Sequence, residues 1–163
     1  MESLTTLGSA VGALLTERKQ TLAVAESSAG GLINAALVAV PGASSYYLGG
    51  CIIYTAAGRE TLLGILPQDM AGMRSASEPF ARLLARRVRE TLGTTWGLSE
   101  TGASGPRGNR YGDPAGHACI AVSGPVEMVV TIETGSGARE ANMWVFARRA
   151  VELLESCMRK AGS

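Results

Sequence analysis

Thr21-Leu22-Ala23-Val24-Ala25-Glu26-Ser27-Ser28-Ala29-Gly30-Gly31-Leu32 is the most informative stretch of this chain. Thr21 to Ala25 reads as a short buried strand, and Glu26 to Gly31 as a polar turn. Leu32, Ala35, Ala36 and Ala39 then recur at helical spacing until Pro41-Gly42 stops the pattern. The same order returns downstream, with a strand over Gly50 to Thr55 and a helical stretch from Ala56 to about Leu63, ended by Gly64 and Pro67. Upstream, Leu4, Leu7, Val11, Leu14 and Leu15 mark an amphipathic helix running to about Lys19.

Ser77-Glu78-Pro79 is a helix start, with a serine cap and a proline in the first turn, and Phe80, Leu83, Leu84 and Val88 form its apolar stripe. Arg82, Arg86, Arg87 and Arg89 fall mostly off that stripe and read as a solvated face. A strand ending near Ser99 follows, then a loop rich in glycine and proline from Thr101 to Pro114. Residues 116–123 and 126–134 read as strands of an antiparallel hairpin turning at Gly124-Pro125. Met143, Ala147, Ala150, Val151, Leu154 and Met158 mark a closing helix. The expected fold is an α/β/α three-layer sandwich around a mixed, mostly parallel sheet of about five strands with a C-terminal β-hairpin. In such sheets ligands bind beyond the carboxyl ends of the parallel strands. Residues 26–31, 54–59 and 100–106 are expected to converge there.

At 163 residues the chain is the size of one domain. Hydrophobic residues at 46%, charged residues at 18% and a net charge of +1 argue against disorder and against a nucleic-acid partner. No apolar run approaches the roughly 18 residues of a membrane span. Met1-Glu2-Ser3-Leu4 does not open like a signal peptide, so a cytoplasmic location is expected. Cys51, Cys119 and Cys157 read as buried free thiols, and a single histidine leaves little for a metal site. No cofactor is expected.

Ser27 and Ser28 stand just after a strand and before a glycine-led helix. A hydroxyl there lies near helix N–H groups that stabilise an anion or oxyanion, although an ordinary N-cap serine has the same place. Tyr54 and Arg59 add a phenol and a guanidinium, and Thr101-Gly102-Ala103-Ser104-Gly105-Pro106 reads as a tight loop able to cradle a phosphate. His117, the lone histidine, makes a Ser-His-Asp triad a poor expectation.

Taken together these motifs resemble the CinA C-terminal domain family, the nicotinamide mononucleotide deamidases. Ala25 to Gly31 resembles A-E-S-C-T-G-G, and Pro41 to Gly50 resembles P-G-S-S-x-Y-F-x-G-G. Tyr54 to Arg59 stands where the family has Y-S-N-E-A-K, and Ala76 to Pro79 is similar to V-S-E-x. Thr101 to Pro106 is similar to T-G-I-A-G-P, and Asp113 to Gly116 to K-P-V-G. The likeness covers nearly the whole chain, which reads as a stand-alone form without the N-terminal domain many members carry.

The resemblance implies deamidation of nicotinamide mononucleotide to nicotinate mononucleotide and ammonia by a serine–lysine pair, without a metal, in a homo-oligomer, most simply a dimer. It makes Ser27 the nucleophile and Tyr54 its neighbour. Ser28, Ala29, Gly30 and Gly31 become the oxyanion or phosphate donors, Thr101, Gly102 and Gly105 the substrate loop, and Arg139 a phosphate ligand. The chain departs from the pattern at Arg59 (lysine), Ala56 (asparagine), Ala29 (threonine), Ala138 (the aspartate of G-D-R) and Asp113 (lysine). A guanidinium cannot act as a general base. Glu100, a carboxylate beside the pocket, reads as a salt-bridge partner for Arg59 ahead of a replacement base. The rival readings are a silent CinA-like domain that binds a nucleotide or small anion, and a ligand-free oligomeric scaffold.

Overall fold

The computed structural model describes residues 2–162. Its elements are α1 (Leu4–Arg18), β1 (Leu22–Glu26), α2 (Leu32–Val38), β2 (Tyr47–Ile52), α3 (Ala56–Leu63), α4 (Glu78–Leu92), β3 (Trp96–Ala103), β4 (His117–Ser123), β5 (Met128–Glu133) and α5 (Arg139–Ala161). Helix boundaries follow local chemistry. Ser3 caps α1 and Ser77 caps α4 by accepting from the amides of Thr6 and Phe80, while Lys19 and Gly93 close those helices in the left-handed region.

The five strands lie in the order β2-β1-β3-β4-β5. β1 is parallel to both β2 and β3, whereas β4 is antiparallel to β3 and to β5. The sheet is therefore mixed and mostly parallel in strand direction, with β1, β2, β3 and β5 running one way and β4 alone against them. β3 returns as β4 through the loop over 104–116, which holds no helix, and the two strands pair antiparallel. β4 and β5 are consecutive neighbours joined by residues 124–127. Helices cover both faces: α1, α2 and α5 pack together over one, and α4 with α3 over the other. The larger core cluster, under α1, α2 and α5, includes Val11, Leu15, Ile33, Trp96, Leu98, Phe146 and Leu154. The opposite face buries Ile65, Phe80, Leu84 and Val88. No described helix is long and apolar enough to cross a membrane.

Two strand boundaries differ from expectation, and both move the site. β2 begins at Tyr47 and ends at Ile52, so the Gly49-Gly50 pair lies inside it and Tyr54 beyond it. Gly50 is in the strand because a Cβ there would lie 1.9 Å from Asn34 Oδ1 and 2.6 Å from the Val24 carbonyl. β3 runs on to Ala103, because Glu100 to Ala103 pair with Ile120 to His117 of β4. Thr101 and Gly102, expected in a phosphate-cradling loop, are thus strand residues. On the outer face of α4, Arg82 and Arg86 are exposed as expected. Arg87 instead donates to the carbonyls of Leu63 and Gly64, and Arg89 to that of Thr95.

Candidate active site

The carboxyl ends of β1, β2 and β3 open on a cavity of about 640 Å³. Ser27, Ser28, Tyr54, Arg59, Thr101, Gly102, Gly105 and Arg139 all line it, so the three sequence segments do converge. Ala29, Gly30 and Gly31 do not line it.

The reason lies in Glu26. α2 starts at Leu32, where the helical spacing begins, and the Glu26 carboxylate occupies its N-terminus. It accepts from the amides of Gly31 at 2.7 Å, Ile33 at 3.3 Å and Asn34 at 2.7 Å, and from Asn34 Nδ2 at 2.6 Å. Tyr47 donates its hydroxyl to Asn34 Oδ1, tying β2 to the same network. Burial pushes the Glu26 pKa up despite the four donors. The helix donors expected to meet a ligand are consumed by the protein itself.

A second carboxylate closes the preceding turn. Glu100 is fully buried on β3, and its Oε2 accepts from the amides of Ser27 at 3.1 Å and Ala29 at 2.9 Å. Its Oε1 accepts the hydroxyl proton of Ser28. Burial pushes its pKa up to about 7, against the opposing pull of these three donors. The expected salt bridge with Arg59 is not formed. Arg59 Nη1 instead reaches Ser75 Oγ at 3.5 Å, and its guanidinium lies 5.8 Å from the Phe80 ring centroid. The carboxylate found three closer donors in the turn beside it.

Ser27 is half-buried, and its hydroxyl has no hydrogen-bond partner among the described residues. Tyr54 is 62% exposed and accepts from Arg139 Nη2 at 2.8 Å. Arg139 Nη1 donates to the Gly105 carbonyl, so the side chain is braced at the cavity mouth. Thr101 is buried and accepts from the Ala76 amide at 3.2 Å. Gly105, at φ +117°, lets its loop approach the 135–138 segment, since a Cβ would lie 2.7 Å from the Gly137 carbonyl.

Several lining groups were missed by the sequence reading. Arg74, Arg107 and Arg110 bring the cavity's arginines to five with Arg59 and Arg139, and among the described residues no aspartate, glutamate, lysine, histidine or cysteine lines it. Of the five, Arg74 alone is paired with a carboxylate among the described residues: it grips both oxygens of Asp113, at 2.6 and 3.0 Å, holding that carboxyl below its usual range. Arg74 and Arg110 lie 5.2 and 5.1 Å from the Tyr111 ring centroid. Arg107 and Arg110 do sit in the glycine-rich loop that the sequence marked, and that was the available signal; Arg74 had none. Ser104 Oγ is buried in the cavity wall without a partner, the only such side-chain atom among the described residues. Ile53, Met70, Met73 and Phe80 supply an apolar wall. The cavity can therefore hold an anionic group among guanidiniums and a flat apolar ring beside it.

His117 lies outside the lining, with Nε2 2.9 Å from the Ala76 carbonyl and Nδ1 3.1 Å from Glu133. No group of three or more metal-ligating side chains comes together among the described residues. Cys51, Cys119 and Cys157 are free thiols, with Cys51 half-buried, and burial raises the pKa of each.

An open cavity at the carboxyl edge of a mixed sheet, under a serine-bearing turn, defines an α/β/α domain with one candidate site. The chain belongs to the CinA family, matching its C-terminal domain over residues 4–158. A CinA-like protein of Gloeobacter violaceus is 43% identical over 140 residues, covering 86% of this chain and 33% of its own length. One from Synechocystis is 37% identical over 158 residues, covering 97% of this chain and 38% of its own length. The chain thus spans about a third of the length of these curated relatives. A CinA superfamily protein from Escherichia coli is similar in structure, with a TM-score of 0.86 and 25% identity over 94% of this chain and 90% of that one. One from Klebsiella pneumoniae shares the fold, with a TM-score of 0.90 and 22% identity over 98% and 99% of the two chains.

Proposed function

We propose that this domain is a CinA-type amidohydrolase that binds a pyridine nucleotide in the arginine-lined cavity and releases ammonia from its carboxamide. The substrate suggested by the family resemblance is nicotinamide mononucleotide. Its phosphate would lie among the guanidiniums, and its ring against Ile53, Met70 and Phe80. A serine of the 27–28 turn then reaches the carboxamide carbon, and the resemblance gives that attack to Ser27. The observation that carries the reading is a pair of cavity-facing serines in a pocket holding four guanidiniums with no carboxylate partner among the described residues.

A second reading is favoured by one observation. The cavity lining offers no lysine, histidine or carboxylate, and Arg59 stands where the family resemblance places lysine. A domain of this kind binds its nucleotide without turning it over, since a missing general base typically costs about 10²–10⁴-fold in rate.

Ammonia release from nicotinamide mononucleotide, measured with calorimetric titration of the same ligand, separates the two. Turnover by the wild type carries the first reading, and binding without turnover carries the second. Gain of turnover in Arg59→Lys would place the block at that residue. A ligand that neither binds nor reacts removes both readings.

A further inference from the structure

Ser27 has a free hydroxyl and no base, whereas Ser28 has both a place in the cavity lining and a carboxylate on its hydroxyl. We propose that Ser28 is the nucleophile of this site and Glu100 its general base, acting on a carboxamide carbon. The proposal deepens the amidohydrolase reading and rests on it for the substrate class.

Three observations support it. Capping the turn requires only Glu100 Oε2, which takes the amides of Ser27 and Ala29. Those two bonds fix the carboxylate plane and leave Oε1 aimed at the Ser28 hydroxyl, beyond what a structural cap needs. Second, among the described residues no other carboxylate, lysine or histidine is bonded to either serine hydroxyl, Arg59 cannot be a base, and Glu100, buried beneath the cavity, reaches it through the Ser28 hydroxyl. Third, full burial suits the carboxylate to accept a proton near neutrality, since its pKa is pushed to about 7. Glu26, on β1, pushes in the same direction, and the β4 residue opposite Glu100 is the apolar Ile120.

The chemistry balances with water alone. Glu100 takes the Ser28 hydroxyl proton as the Oγ–C bond forms. The tetrahedral adduct then collapses, its C–N bond breaks, and the same proton leaves on the nitrogen as ammonia. Water, giving its proton to Glu100, attacks the resulting ester; the acyl group departs as a carboxylic acid and Ser28 Oγ recovers a proton. Ser104 Oγ, unpartnered in the same wall, is a donor available to the developing oxyanion.

The test is to treat the whole protein with phenylmethanesulfonyl fluoride between roughly pH 5 and pH 9, and to locate the adduct by peptide mass spectrometry. The expected adduct is on Ser28, with a labelling rate that rises through a midpoint near the Glu100 value of about 7. In Glu100→Gln that rate should fall by about 10²–10⁴-fold and lose the midpoint. An adduct on Ser27, a Ser28 rate indifferent to Glu100→Gln, or no adduct on either serine overturns the proposal. Locating the adduct needs only the wild type, so a poorly folding variant does not blunt the test. With nicotinamide mononucleotide, ammonia release should vanish in Ser28→Ala and fall in step with the labelling rate in Glu100→Gln. Release undiminished in Ser28→Ala overturns the dyad and leaves the amidohydrolase reading standing. Labelling of Ser28 without ammonia release keeps the dyad and removes that nucleotide as substrate.

Discussion

Glu26 and Glu100 are both fully buried, and each holds its position through backbone amides with no cationic partner. For Glu100 the cost of burial exceeds the gain from its donors, so its pKa rises from 4.5 to about 7 on folding. The sign of the linkage follows. Between those two values the folded chain keeps a proton that the unfolded chain has released, so stability falls as pH rises across that window. The contribution is complete below the unfolded value and lost above the folded one. At about 1.36 kcal/mol per unit, it is on the order of 3 kcal/mol. Glu100→Gln carries no such proton. Urea denaturation of both proteins from roughly pH 4 to pH 8 should show the wild type losing ground to the variant as pH rises. Parallel stability curves would mean that the Glu100 pKa is the same in the folded and the unfolded chain.

Among the elements, β2 shows most clearly how a local preference yields to packing. Its glycines weaken it as a strand, yet Gly50 is the residue against which Asn34 of α2 packs. Gly50→Ala should therefore cost about 1–3 kcal/mol, read as a lowered urea midpoint with an unchanged slope. A variant as stable as the wild type would show that Asn34 and the Val24 carbonyl of β1 both give way freely. Most elements were legible in the chain itself, because α1, α4 and α5 carry helical apolar stripes and β1 is a plain apolar run. The extension of β3 to Ala103 was not legible, since it depends on β4 arriving alongside, far off in sequence. In the site, Ser27, Tyr54 and Arg59 were found from their places in the loops after strands, and Arg139 from the family resemblance alone. The closure of the α2 N-terminus by Glu26 was hidden, because nothing local shows which way a carboxylate turns. The same applies to Glu100 choosing Ser28 over Arg59.

At the scale of the molecule, a chain of net charge +1 gathers five of its arginines around one cavity, and only Arg74 among them is neutralised by a carboxylate. Such a concentration of one sign of charge in a cleft attracts anions from solution. Inorganic phosphate should accordingly raise the thermal midpoint. A ligand at a hundred times its Kd adds about 2.7 kcal/mol, which is roughly 5 °C or more for a domain of this size. Chloride at matched ionic strength is the control, and the double variant Arg107→Ala, Arg110→Ala should lose most of the effect. Coincident melting curves in phosphate and chloride would mean that the cavity has no affinity for phosphate. The plugging of the 26–31 turn by the protein's own carboxylates carries a consequence for inheritance. With the backbone donors of that turn sealed, anion recognition under the proposed function rests on side chains, and two of them, Arg107 and Arg110, stand exposed with no bond to a carboxylate or a backbone carbonyl among the described residues. Both are replaceable by a single codon change at little cost to folding. A lineage built on this architecture can therefore exchange one ligand for another in small steps while its core stays constant.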